Sequence, residues 1–409
     1  MNVRILFFSH YFPPEGNAPA SRTCENCKRW VRAGHQVTVV TCAPNSPNGV
    51  VYEGYKNKIY QRETMDGIDV RRVWTYVAAN EGTFRRILNY VSYMMSAFAC
   101  SFFVKRPDVV IATSPQFFCG WAGLLYRWVF RAPFILEIRD IWPESIVAVG
   151  AMKKSRLIRL LEWLEMKMYK AADHIVTVGD GYRQKLQEKG VPESKISVVM
   201  NGVDANLFQP RLPEQGLKKH WGLQDKFVCG YLGTIGMASG LGVVLEAARK
   251  LKENGIDDIG FMLVGDGAMR KQLEQQARAS ALKNVVFTGR QPKEQMPDYI
   301  SIADVCLIHL RKSELFTTVM PSKIFEAAGM AKPIINGVAG FAADFVEKAG
   351  AGMNIEPENS DELVKSVLYA QSNPDQCSRF GKSGHEHVMT FYNRDQLAKD
   401  YLNIIEKLS

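Results

Sequence analysis

Along the chain, short unbroken apolar runs alternate with longer stretches whose apolar positions recur every three to four residues. The unbroken runs read as strands buried on both faces, and the periodic stretches as amphipathic helices packed over them. In the first half the runs are VRILFFS (3–9), QVTVVT (36–41), DVRRVW (69–74), DVVIAT (108–113), FILEI (134–138) and HIVTV (174–178). SRLIRLLEWLEMKMYKAA (155–172) is the clearest helix among them. In the second half the runs are FVCGYLG (227–233), IGFMLVG (259–265), NVVFTG (284–289), DVCLIHL (304–310) and PIING (333–337), each followed by a helical stretch. Continuous apolar strands separated by helices predict parallel sheets covered on both sides, an α/β class, and two such sets predict two doubly wound domains. The periodicity breaks at VVMNGVDANLFQP (198–210), which predicts domains over 1–200 and 201–375, with helices over 376–409 expected to return to the first domain.

Composition supports two cores of that size: 409 residues, 46% apolar and 23% charged. The net charge of +9 is unevenly placed, since residues 1–205 hold 27 Lys and Arg against 18 Asp and Glu while the remainder holds 24 of each sign. A basic first half fits an anionic membrane surface, nucleic acid or a phosphorylated acceptor. No C2H2 spacing, RNP-like strand or helix-turn-helix pattern accompanies it, so nucleic acid is set aside as a partner. Of eight cysteines only Cys24 and Cys27 form a C-x-x-C pair, without a second pair or nearby histidines, which argues for reduced thiols and against zinc. The opening Met1-Asn-Val-Arg runs into a strand with no cleavage site, the pattern of a cytoplasmic protein.

In open parallel sheets ligands bind beyond the carboxyl ends of the strands, so those ends locate the candidate chemistry. In the second half they are GTIGMASG (233–240), GDGAMR (265–270), GRQP (289–292) and LRKSELFTTVMPSK (310–323). Recurrent glycine at such ends lets backbone approach a ligand, although one G-D-G alone is equally a tight strand-to-helix turn. In VMPSKIFEAAGMAKPII (319–335), Ser322 is expected to cap a short helix closed by Gly329, with Lys323 adding charge to a helix start that suits a phosphate. Glu326 stands four residues after Ser322, one too far for a capping box, and reads either as a surface acid or as an acceptor for paired sugar hydroxyls. In the first half, the loop SHYFPPEGNAPASR (9–22) lacks a G-x-G-x-x-G pattern, which disfavours a nicotinamide enzyme. His10 in that loop reads as a strand-end cap or a site residue.

The uncharged segment ILNYVSYMMSAFACSFFV (87–104) is flanked by Arg85-Arg86 and Lys105-Arg106 and is long enough to span a bilayer. Asn89, Ser92 and Ser96 form a polar stripe at helical spacing, which instead favours a buried core helix or contact with a membrane surface.

With these residues in hand, the chain resembles the retaining glycosyltransferases of family 4, which have the GT-B architecture of two Rossmann-like domains facing across a cleft. PPEGNAPASR, AGHQVTVVT, RDIWPES, NGVD, GTIGMASGLGVVLEAA, GDG and PSKIFEAAGMAKPII carry the resemblance over essentially the full length. RDIWPES with PSKIFE is similar to a bacterial branch that includes N-acetyl-L-fucosaminyltransferases of O-antigen, capsule and exopolysaccharide assembly. The resemblance implies that Glu326 holds the ribose hydroxyls of a UDP-sugar, that Pro321, Ser322 and Lys323 meet its diphosphate, and that Arg290, Gln291 and Pro292 meet the nucleobase. Gly233, Thr234, Gly265, Asp266 and Gly267 would line the nucleotide site, with Gly16 facing the donor phosphates from the other domain. Glu15, Arg139, Asp140 and Glu144 are the expected acceptor-side residues, Asp140 reading equally as a helix cap.

The departures from the family pattern are specific. Its first acid of Glu-x7-Glu falls on Thr318, its basic pair in the first glycine loop falls on Thr234 and Ser239, and its histidine after the fourth strand falls on Thr113 or Ser114 in IATSPQ. Leaving-group charge is therefore expected to rest on Lys323, with Arg290 or Arg311. The missing histidine fits a 6-deoxy donor such as an N-acetylamino 6-deoxyhexose. No D-x-D occurs, so no metal or other cofactor is expected. The resulting expectation is a peripheral enzyme at the inner face of the cytoplasmic membrane, moving sugar from a UDP-sugar to a polyprenyl-diphosphate-linked saccharide. A non-transferring relative such as a UDP-N-acetylglucosamine 2-epimerase, or a silent UDP-sugar-binding module, is the alternative.

Overall fold

The structure, a computed structural model, describes residues 2–46, 49–78, 83–114, 116–144 and 155–409. The chain divides into two units, Met1–Met200 with Arg394–Ser409, and Asn201–Asn393.

Unit 1 holds β1 (Arg4–Phe8), α1 (Ala18–Arg32), β2 (Gln36–Cys42), β3 (Tyr60–Met65), β4 (Ile68–Val73), α2 (Thr83–Ser101), β5 (Val109–Thr113), α3 (Phe117–Phe130), β6 (Phe134–Ile138), α4 (Arg156–Ala171), β7 (His174–Thr177), α5 (Asp180–Glu188) and β8 (Ile196–Val198). Its eight-stranded sheet runs β3-β4-β2-β1-β5-β6-β7-β8 and is parallel except for β3. β1 sits mid-sheet, with Ile5 beside Val37 on one side and Val109 on the other, and its residues Ile5–Phe8 are all buried. β3 escaped the hydrophobic pattern because it is a polar edge strand, YQRETM. The Asp66-Gly67 turn joining it to β4, with both residues at positive φ, is the hairpin signal that marks it. In α1 the residues at helical spacing, Ala20, Cys24, Cys27 and Trp30, face the core, so the C-x-x-C pair is packing.

Unit 2 holds α6 (Gln215–His220), β9 (Phe227–Leu232), α7 (Gly242–Glu253), β10 (Ile259–Val264), α8 (Arg270–Ala279), β11 (Val285–Gly289), α9 (Met296–Ser301), β12 (Val305–His309), α10 (Lys323–Gly329), β13 (Ile334–Gly337), α11 (Phe341–Ala349), β14 (Gly352–Asn354), α12 (Ser360–Ser372) and α13 (Pro374–Phe391). Its six strands, in the order β11-β10-β9-β12-β13-β14, are all parallel.

The segment 376–409 does not return to unit 1 as a whole. α13 stays in unit 2, where Gly381 lies so close to the Ala331 carbonyl that no Cβ would fit and a Cβ on Gly384 would come within 2.9 Å of Ala351. Only the last helix, α14 (Arg394–Leu408), packs on unit 1. There Tyr401 lies edge-on to Trp30 at 5.2 Å, and the Trp30 indole donates to the Ala398 carbonyl at 3.0 Å. Burying Tyr401, Leu402 and Ile405 contributes about 1.5–3 kcal/mol per side chain.

Among the described residues no helix is long and apolar enough to cross a membrane. α2 is instead a half-buried helix: Tyr93 and Ala97 are fully covered, while Met95 is 55% exposed. Its polar stripe docks on the segment after β4, with the Asn89 amide donating to the Tyr76 carbonyl and the Ser92 hydroxyl accepting from the Tyr76 N-H.

Candidate functional site

In unit 2 the carboxyl ends of three neighbouring strands are laced together by backbone. The Gly233 N-H donates to the Val264 carbonyl at 2.8 Å, Gly265 to the Gly289 carbonyl at 2.9 Å, and Ile235 to the Asp266 carbonyl at 3.0 Å. The G-D-G glycines are there because the turns touch. A Cβ on Gly265 would fall inside contact distance of the Gly233 carbonyl oxygen, and one on Gly267 would lie 2.5 Å from the Ile235 oxygen. Asp266 accepts from the Gly267 N-H and lies 3.5 Å from Arg270, whose Nε holds Glu274 at 2.7 Å. A Cβ on Gly289 would come within 3.2 Å of the Arg270 guanidinium, so this arginine belongs to the same cluster. Nothing in the GDGAMR pattern by itself marks Arg270 for this place.

α10 begins beside these turns. Ser322 occupies its N-cap position but with helical dihedrals and no capping hydrogen bond from its side chain, contrary to the expectation for that serine. Gly329 ends the helix, and its missing side chain leaves room for Val203, whose Cγ2 would otherwise stand 2.5 Å from a Cβ. Lys323 points back toward the glycine turn: its Nζ lies 3.6 Å from the centroid of the Tyr231 ring and would be 3.1 Å from a Cβ on Gly233. Burial pushes its ammonium down to about 7, and Glu326, half-buried one turn along, pulls it back up. Arg290 and Pro292 are exposed, while Gln291 is half-buried and donates to the Thr288 carbonyl at 2.9 Å.

The residues that stand where the family carries charge are uncharged and turned inward or away. Ser239 is 3% exposed and donates to the Gly236 carbonyl; Thr318 is buried and donates to the Leu315 carbonyl. Thr234 is exposed, and its carbonyl accepts from the Tyr231 hydroxyl. His309, which sequence reading missed, locks the glycine loop: Nδ1 contacts the Ser239 carbonyl at 2.8 Å and Nε2 accepts from the Glu358 N-H at 2.9 Å. That pair of bonds defines the neutral tautomer with the proton on Nδ1, and burial holds the ring below its ordinary value.

In unit 1 the expected acceptor-side residues also collect at carboxyl strand ends. Gly16 is exposed just before Asn17, which caps α1 by accepting from the Ala20 N-H. Glu15 is a strut: it is 3% exposed and one carboxylate oxygen accepts from the backbone N-H groups of Asn45 and Ser46. The Arg139 guanidinium donates to the Pro19 carbonyl at 3.1 Å, and burial lowers it to about 10. Asp140 is half-buried beside it, and Glu144 pairs with Lys189 at 2.8 Å, which also binds the buried Glu165 at 2.7 Å. His10 is no strand-end cap. Its ring is boxed by Tyr11, Tyr90 and Tyr93, and neither ring nitrogen finds a hydrogen-bond partner among the described residues. A cavity of about 630 Å³ opens in unit 1 at Arg127, Trp128, Lys170 and Lys195, near the amino ends of the strands, and contains none of these residues.

Two family models cover the two units in turn: a glycosyl transferase 4-like domain matches residues 17–202, and glycosyl transferases group 1 matches residues 215–387. The chain is a glycosyltransferase with the GT-B fold. WcaI of Escherichia coli (strain K12), named as a colanic acid biosynthesis glycosyl transferase, is 25% identical over 98% of this chain and 100% of its own. Among solved structures, sucrose-phosphate synthase from Thermosynechococcus elongatus superposes with a TM-score of 0.78 at 16% identity, covering 100% of this chain and 99% of that one. HepE from Anabaena, solved with UDP and glucose, reaches 0.74 at 17% identity over 100% of both chains. As a glycosyltransferase, the chain carries its group 1 domain over the laced glycine turns and Lys323.

Proposed function

We propose that this glycosyltransferase moves a sugar from a UDP-sugar to a lipid-linked saccharide during assembly of a bacterial surface polysaccharide. The observation that carries the reading is Lys323, a half-buried cation set on an aromatic ring beside the Gly233 turn, where a diphosphate would find a fixed positive charge. Breaking the sugar-phosphate bond places new negative charge on the leaving diphosphate, and a fixed cation there lowers the barrier because it needs no reorganisation. Lys323 supplies that charge, Arg290 adds to it from the turn after β11, and Glu326 accepts from the ribose hydroxyls. Retention follows from same-face attack, the leaving phosphate taking the acceptor's proton. The chain's own cations serve in place of a metal. Relatives named for colanic acid and lipopolysaccharide synthesis support the pathway class, and HepE with UDP supports the donor.

The donor sugar is a 6-deoxy N-acetylamino hexose on this reading. Where the family's histidine stands, the Thr113 hydroxyl is 2% exposed and donates to the Glu137 carboxylate at 2.9 Å, while the Ser114 hydroxyl accepts from the Arg139 N-H. Neither hydroxyl is presented to a sugar 6-hydroxyl. The acceptor lipid is reached from an anionic membrane surface. Unit 1 exposes Met95, Phe102, Phe103, Trp128, Leu160 and Trp163 on α2, α3 and α4 and the turns that end them, among the excess basic residues.

The test is UDP release from a panel of UDP-sugars, with and without membrane extract holding lipid-linked acceptor, for wild type and Glu326→Ala. Release that needs donor and lipid together, and falls about 10- to 100-fold in donor affinity with Glu326→Ala, is expected. UDP binding without turnover would make the chain a silent binding module, and release of free sugar without acceptor would make it an epimerase-like enzyme.

A further inference from the structure

The partner of Lys323 is an aromatic face rather than a carboxylate. Tyr231 lies on β9, 1% exposed, and its hydroxyl donates to the Thr234 carbonyl at 2.8 Å, so the ring is held both by burial and by a bond to the turn that follows its own strand. Gly233 closes the socket, since a Cβ there would press on both Cε and Nζ of Lys323 at 3.2 and 3.1 Å, and its φ of +139° disfavours any side chain. The ammonium is thus placed from below by the ring, from the side by the glycine, and from its own backbone by the start of α10.

We propose that Tyr231 is a positioning residue for the donor's diphosphate, its ring face holding the Lys323 ammonium at the Gly233 turn so that the charge meeting the phosphates comes from α10 instead of from the glycine loop. The proposal rests on the reading of unit 2 as a nucleoside-diphosphate-sugar site. It explains how the site functions with Thr234 and Ser239 where basic residues would otherwise stand. The attraction of an ammonium to a tyrosine face is electrostatic and strengthens as water is excluded, amounting to about a 2- to 30-fold effect on an equilibrium.

A consequence concerns protons. Lys323 is charged below about pH 7 and loses its proton above it. The titratable groups that face it are Glu326 on its own helix, whose charge favours the ammonium, and His309 at the end of β12, whose imidazole is neutral. A bound diphosphate favours the ammonium, so binding above pH 7 takes up a proton, and affinity falls as pH rises. Removing the ring face destabilises the ammonium and moves that fall to lower pH.

Calorimetric titration of UDP from pH 6 to 9, in two buffers of different ionisation enthalpy, tests this with wild type, Tyr231→Phe and Tyr231→Leu. Tyr231→Phe keeps the ring and is expected within about twofold of wild type, whereas Tyr231→Leu binds UDP about 2- to 30-fold more weakly at pH 7 with its pH midpoint shifted down. Should Tyr231→Leu not fold, Tyr231→Met takes its place. A folded variant lacking the ring but with the affinity and midpoint of wild type would overturn the proposal. If wild type binds no UDP, the donor reading fails. The role of Tyr231 is then decided by the NMR titration of the Lys323 side chain, assigned through Lys323→Arg: a lower midpoint without the ring supports it and an unchanged one refutes it.

Discussion

Replacing Gly265 by alanine asks whether the glycine turns of unit 2 are there for backbone contact. Gly265 has φ +142°, and the added Cβ would fall inside contact distance of the Gly233 carbonyl oxygen. The two turns would have to part by on the order of 1 Å to restore ordinary contact. That movement strains the bonds from Gly233 N-H to the Val264 carbonyl and from Gly265 N-H to the Gly289 carbonyl. Overpacking costs about 1–3 kcal/mol and the left-handed backbone about 1–3 kcal/mol more. Against a domain stability of about 5–15 kcal/mol this is a large fraction. For a unit of this size it lowers Tm by roughly 5–20 °C. Gly242→Ala is the control, since a Cβ there meets nothing within 4 Å and its φ is ordinary; it is expected to be neutral or to stabilise by about 0.4–1 kcal/mol. Scanning calorimetry with UDP titration measures both variants. A Gly265→Ala protein whose unit 2 transition stays within about 2 °C of wild type, with UDP binding unchanged, would refute the lacing of these turns as the reason for the glycines.

Three further outcomes are expected in unit 1. Arg22→Leu strips the cation from Glu137, which is fully buried and holds the guanidinium at 3.3 Å, so urea unfolding should show a loss of about 3–5 kcal/mol; an unchanged midpoint would mean the pair is not desolvated. His10 is held at about 3 by burial, below its ordinary 6.5, so the unfolded chain takes up the proton first. Its contribution to stability is therefore complete above pH 6.5 and is lost as pH falls toward 3, about 1.4 kcal/mol per pH unit. His10→Leu should make stability between pH 6.5 and 4.5 less pH-dependent by about 2–3 kcal/mol, and identical acid profiles would rule this out. Phe103→Ser with Trp128→Ser, at 78% and 56% exposed positions, should weaken sedimentation with anionic vesicles without lowering Tm by more than about 1 °C; equal vesicle binding would detach these residues from the membrane.

Local pattern was enough to place most of the fold. Every continuous apolar run became a strand because a strand buried on both faces must be apolar along its whole length. The edge strands β3, β8 and β14 went unread, since an edge has a wet side and only three to six residues to show a pattern. The point at which the chain leaves unit 1, after Met200, lies inside the break in periodicity, but the assignment of α13 to unit 2 does not follow from periodicity. It depends on Gly381 and Gly384 meeting Ala331 and Ala351, residues distant in sequence.

The candidate site divides in the same way. The sequence by itself determined which residue types stand at the strand ends: glycines at 233, 265, 267 and 289, Lys323 and Glu326 at the start of a short helix, and neutral residues at 234, 239 and 318. Only the tertiary structure decided what each side chain meets. It set Tyr231 beneath Lys323, His309 under the glycine loop, Glu15 against the Asn45 backbone and Glu144 against Lys189. The physical reason is that secondary structure follows from a repeat a few residues long, whereas a buried charge or hydrogen-bonding group must be satisfied by whatever the fold brings beside it, most often from another element.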